Sequence, residues 1–221
     1  MKRKVKPENI FAAVLISAVV VIAIVMFLWQ NNFIPHKMYT NEDFGIETYK
    51  SEVDKDSDGI DDQTDILENV RRYIATSPKY MSKYYASGYP DDGYGVCTDV
   101  VAQGLLGAGY DLMELVDEDR RANPSDYADE PIDKNIDFRR VRNLLVYFRH
   151  TAIELTTDVY DIEEWQGGDI VVFEGHIGIV SDKRNHNGVS FVIHNGSPFQ
   201  AGYEQDILES RNDIVAHFRI S

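Results

Sequence analysis

The sequence predicts an α+β domain, helices first and an antiparallel sheet after them, preceded by one transmembrane helix. Three observations predict it. Ile10 to Trp29 carries no charge, and Ser17 is its only polar residue. Between Ile66 and His150 the apolar residues recur at helical spacing. From Trp165 onward the period changes to that of strands separated by glycine turns. Helices gathered ahead of a run of short strands are the α+β pattern.

Residues 1–9 form a basic N-terminus with Lys2, Arg3, Lys4 and Lys6. Residues 10–29 are read as an anchor, because about 20 apolar residues cross a hydrocarbon core. The competing reading, a cleaved signal, lacks a small-residue cleavage site at Met26-Phe27-Leu28-Trp29. The basic flank predicts a single-pass protein of the cell membrane, N-terminus cytoplasmic and the remainder extracytoplasmic. With the cations gathered at the N-terminus, the body is more acidic than the chain's net −15. Such a body repels phosphate backbones, so no nucleic-acid partner is expected. The single cysteine permits no internal disulfide. In an exported protein a lone thiol is a candidate for reactivity.

Residues 30–65 read as an extracytoplasmic linker. Within it, residues 54–65 place carboxylates at Asp54, Asp56, Asp58, Asp62 and Asp65, with Gly59 at the sixth position. That spacing turns alternate oxygens inward around one ion, so a structural Ca2+ is expected. The loop resembles those of thrombospondin type 3 and dockerin repeats; the competing reading is a solvated acidic turn. Residues 66–221 form the main domain. Ile66 to Ser77 reads as a helix, Met81 to Tyr85 as its continuation or a second one, and Tyr89 to Gly95 as a run of turn formers. A helix follows Cys97 and stops at Gly107 and Gly109. Gly104 to Gly109 ends that helix, which excludes a nucleotide loop, and no organic cofactor is expected. Asp111 to Pro131 reads as an acidic surface excursion. Ile136 to His150 is helical, its arginines expected to pair within the protein. Strands are expected at Asp169 to Phe173, His176 to Ser181, Val189 to His194 and Ile214 to Ile220.

The chemistry centres on Gly95-Val96-Cys97-Thr98-Asp99-Val100-Val101. A cysteine at a loop-to-helix junction meets free N–H groups and the positive end of the helix dipole, which favour thiolate. The bland alternative is a small residue packing a helix start. If the Ser181 and Val189 ends face one another across a hairpin, His176 falls opposite His194 on one face. One ring then serves as base and the other orients it. The same three residues with Asp169 or Asp182 would suit zinc, a reading set second because their spacing is not that of a zinc site.

The cysteine block, Asn135 to Leu144, Gly168-Asp169-Ile170-Val171, His176 to Asp182 and Ile193-His194-Asn195 together resemble a bacterial family, the domain of unknown function 1287. That family is similar in turn to NlpC-type cell-wall cysteine peptidases of papain-like fold. The resemblance implies Cys97 as nucleophile, His176 as base and acid, His194 as orienting residue, and Tyr85 (with Tyr94 as rival) near the oxyanion. It also implies a peptidase or amidase working through a thioester, with peptidoglycan stem peptides as substrate. Departures are present: the usual Asp-Cys-Ser-Gly signature is absent, which leaves specificity open. A non-catalytic wall-binding module and a transferase on the same fold are the competing functions.

Overall fold

The computed structural model describes residues 7–30 and 32–220. The basic residues Lys2 to Lys6 lie outside them. The chain forms two compact units, divided after His36. In the first, α1 (Pro7–Gln30) is one continuous helix with a mean hydropathy of 3.2 over its most apolar window, long and apolar enough to cross a membrane.

The second unit begins at Lys37, so much of the stretch read as linker belongs to the domain. Tyr39 makes an antiparallel bridge with Arg184, and Asn41 bonds both Gln166 and the Arg184 guanidinium. Polar side chains with buried partners hold this segment, which is why no apolar period announced it. Helix α2 (Asp62–Ala75) starts four residues before Ile66, because Asp61 caps it by accepting from the Thr64 N–H and hydroxyl. Met81 to Tyr85 is not helical. Residues Lys79–Tyr80 (β1) pair in parallel with Tyr94–Gly95 (β2), and Met81 N–H continues the ladder to the Gly95 carbonyl.

Helix α3 runs Cys97–Gly107, ending at Gly109 with φ +84°. Asp111 to Pro131, expected as a surface excursion, holds α4 (Leu112–Ala122) instead. Leu112, Val116 and Arg120 recur every fourth residue and bury one stripe, which the acidic composition disguised. The next predicted helix divides into α5 (Lys134–Asp137) and α6 (Val141–Thr151), with Phe138 fully buried between them.

The strands are β3 (Ile153–Glu154), β4 (Ile170–Phe173), β5 (His176–Arg184), β6 (Ser190–Ile193), β7 (Glu204–Gln205) and β8 (Ile214–Arg219). They form one antiparallel sheet in the order β3-β8-β4-β5-β6-β7. Side-chain alternation supplies two cores. Ile170, Val172, Ile177 and Ile179 pack with α2, α3 and α6, whereas Val171, Phe173, Val180 and Val192 join Trp165 and Leu208 on the other face. With both faces covered, β4 is buried at every residue and shows no polar alternation.

The β5–β6 register differs from the expected one. Ile179 pairs with Ile193 and Val180 with Val192, after a bulge toward Arg184. Gly178, not His176, therefore comes opposite His194. The shift is two residues, so both histidines keep a common face.

Candidate active site

Val96 caps α3 in an extended conformation, which puts Cys97 at the first helical position as the sequence predicts. Asp99 accepts from the Val96 N–H at 2.8 Å, and Arg139 grips Asp99 with Nε at 2.6 Å and Nη2 at 2.9 Å. Both partners are buried, so the start of α3 is pinned to the segment between α5 and α6. Arg140 and Arg142 also pair internally, with Glu130. Asn195, just past β6, donates to the Gly95 and Pro78 carbonyls at 3.1 and 3.0 Å. One buried amide thus ties the turn before the cysteine to the end of the histidine hairpin.

The two imidazoles meet edge to face, with 3.1 Å between Nε2 of His176 and Nδ1 of His194. Two glycines allow it. A Cβ on Gly178 would sit 2.6 Å from the Val192 side chain and 3.3 Å from the His194 Cβ, and one on Gly196 would sit 3.0–3.1 Å from both rings. Phe173, directly across from His176, stacks on its ring. His176 Nδ1 has no hydrogen-bond partner among the described residues, and Nε2 of His194 is buried without one. Burial lowers both rings' proton affinity, His176 to about 4 with help from Arg211, and His194 to about 3 with help from His176. Gln205 beside His194 favours its protonated form but does not overcome burial. At neutral pH the pair is uncharged.

The thiol does not follow the simple expectation for a helix tip. Burial pushes Cys97 above its ordinary value, outweighing the N–H groups of Ile177, Thr98 and Cys97 itself. Those N–H groups favour thiolate as predicted; desolvation is the larger effect. The sulfur packs with the α2–α3 core and faces the N–H of Ile177, whereas alternation turns the neighbouring His176 toward Phe173. Among the described residues no hydrogen bond joins the thiol to either ring. Nor do Cys97, His176 and His194 converge within metal-binding reach. Asp169, considered for zinc, is committed elsewhere: it is fully buried, pairs with His217 at 3.0 Å and grips Arg219 at 2.8 Å. Asp182 pairs with Arg71.

Tyr85 donates its hydroxyl to Asp92 at 2.8 Å beneath the Arg139 guanidinium. Tyr94 lines a cavity of about 560 Å³ with Lys79, Tyr80, Asn195, Gln200 and Tyr203. In the acidic loop, Asp54, Asp56 and Asp58 cluster. Asp62 does not join them, because its oxygens take Lys55 N–H and the Tyr110 hydroxyl.

A family model for a domain of unknown function (DUF1287) matches residues 67–220. The chain belongs to that family. It is also 35% identical over 169 residues to the uncharacterized protein YijF of Escherichia coli (strain K12), covering 70% of this chain and 80% of that protein. No solved structure matches. The family match spans the cysteine, both histidines and Asn195, and excludes α1 and the acidic loop up to Ile66.

Sequence reasoning assigned no role to Asn195, Gly196 or Gln205. The strand period could have flagged His217, which sits between Ala216 and Phe218 and lies under Trp165, ring on ring at 3.8 Å. The contacts of Asn195 carried no signal, because a clamp joining residues about a hundred positions apart has no local pattern.

Proposed function

We propose that this protein is a membrane-anchored extracytoplasmic cysteine hydrolase of papain-like architecture, cleaving peptide or amide bonds of the cell wall through a thioester. The observation that carries the reading is the neutral imidazole pair, which engages His176 through Nε2 and leaves its Nδ1 as the available base. Cys97 stands at a helix start beside Ile177, the next residue along the same strand.

In the proposed reaction the start of α3 and the His176 ring close on one another, the thiol leaves the Ile177 N–H, and His176 Nδ1 takes its proton. The thiolate adds to the substrate carbonyl, forming a C–S bond. The oxyanion is held by the Cys97 N–H and a tyrosine hydroxyl, Tyr85 or Tyr94. His176 returns the proton to the leaving amine, water attacks the thioester, and Cys97 regains its proton. His194 holds the tautomer that leaves Nδ1 unprotonated. The cavity beside Asn195, with three tyrosines and Lys79, would receive an aromatic-tolerant, anionic portion of the substrate. The apolar α1 would keep the domain at the outer membrane face, within reach of peptidoglycan stem peptides.

The test is cleavage of purified wall peptides by the chain in detergent. Cys97→Ala should remove turnover, and Cys97→Ala with unaltered turnover would overturn the proposal. The half-buried thiol, its proton held more tightly than usual, and the missing thiol–ring bond favour a second reading, a non-catalytic wall-binding domain. That reading predicts an unreactive thiol together with retention on insoluble peptidoglycan, undiminished in the alanine variant.

A further inference from the structure

The acidic loop ahead of α2 lies outside the site above. Asp54, Asp56 and Asp58 hold carboxylate oxygens within 4.8 Å of one another. They organise the loop by accepting from Asp58, Gly59 and Ile60 N–H groups at 3.1, 2.9 and 2.8 Å. Such a cluster alone describes a solvated turn. Asp65, in the first turn of α2, adds an independent observation. Its side chain is 4% exposed, and its Oδ2 has no hydrogen-bond partner. The carboxylates that bear on it are Asp58 and Asp56, which places it beside the cluster, and Arg72 and Asn69 offset them only in part. Arg72 approaches only the other oxygen, at 3.8 Å, and is itself 69% exposed. A buried carboxylate oxygen without a partner, under the charge of two more carboxylates, is unfavourable unless a cation completes the arrangement.

We propose that Asp54, Asp56, Asp58 and Asp65 bind one calcium ion, with the seventh position, Ile60, supplying its carbonyl. Hard oxygen donors in a flexible loop suit calcium, whereas magnesium demands a tighter octahedron and keeps its waters. Asp62 is not a ligand. By bonding Lys55 N–H and the Tyr110 hydroxyl it fastens the loop beyond the end of α3. A Cβ on Gly109 would lie 3.2 Å from Asp56 Cβ and from Lys55 Cγ, so the loop rests on the turn that ends α3. The ion therefore clips the segment entering the domain to α2 and to the far end of the helix that carries Cys97. This proposal does not depend on the hydrolase reading.

The experiment is thermal unfolding of the full chain in detergent after chelation, with calcium chloride or magnesium chloride added back at 10 mM. With a Kd of ~0.1 mM, in the range of extracellular loops, calcium should raise Tm by about 5–10 °C. Asp58→Asn should abolish the shift. Asp65→Asn carries the sharper signature: it should raise Tm in the chelated state by removing a buried unpaired charge, and eliminate the calcium response. Asp62→Asn should lower Tm while retaining that response. No calcium shift in the wild type, an equal shift with magnesium, or a full shift in Asp65→Asn would overturn the assignment.

Discussion

Replacing Arg139 by methionine should both destabilise the domain and loosen the helix that carries Cys97. The guanidinium makes two bonds to Asp99, at 2.6 and 2.9 Å, and donates to the Lys83 carbonyl at 2.7 Å. Asp99 is fully buried, so the variant strands its charge in the interior. Removing one partner of a buried ion pair costs about 3–5 kcal/mol. Asp99 keeps the Val96 N–H and a position in the first helical turn, which offset roughly 0.3–1 kcal/mol. The expected loss is therefore about 3 kcal/mol, a Tm lower by roughly 6–12 °C for a domain of this size. Thermal unfolding by near-ultraviolet circular dichroism measures it. In parallel, alkylation of Cys97 by iodoacetamide at pH 8 should speed up as the cap frays. Pairing Arg139→Met with Asp99→Asn should recover more than half of the loss. A single variant within 1 kcal/mol of wild type, or a double variant no better than the single, would refute the account of how α3 is held.

Three further outcomes follow from the site. The histidines bind protons more weakly folded than unfolded, so their contribution to stability is complete above about pH 6.5 and is lost as pH falls toward 4 and 3; acid titration of Tm should show this, and His194→Asn should flatten it. The Cys97 thiol, raised above its ordinary value, should alkylate faster with rising pH through the alkaline range, with no plateau at neutrality in the absence of substrate. Gly196→Ala should push a methyl group to 3.0 Å from His194 Nδ1 and separate the rings; the imidazole nitrogen resonances would report the broken bond, and the proposed hydrolase activity should fall at least tenfold.

Much of the sheet was legible because its evidence is local. Ile170 to Phe173 is an unbroken apolar run between glycine turns, and Ile214 to Arg219 opens with two β-branched residues in a short apolar stretch; each announces a strand without reference to the rest of the chain. The helix after Cys97 was legible for the same reason, from turn formers before it and glycines after it. Met81 to Tyr85 misled because its short-range preference is helical, whereas the ladder from Met81 to Gly95 is a tertiary contact that overrides it. Helix α4 was hidden by acidic residues on its solvent side, although Leu112, Val116 and Arg120 carried the period.

By itself the sequence determined the apolar helix, the α+β order of elements, the cysteine at a helix start and the common face of His176 and His194, since each depends on composition or on a period of two or 3.6 residues. Tertiary structure alone decided the rest. It slid the hairpin register by two residues, raised the thiol's proton affinity through burial, gave Asp169 to His217, and took Asp62 out of the acidic cluster. Register, desolvation and the choice of hydrogen-bond partner depend on which distant residues arrive at the same place, and no short-range pattern encodes that.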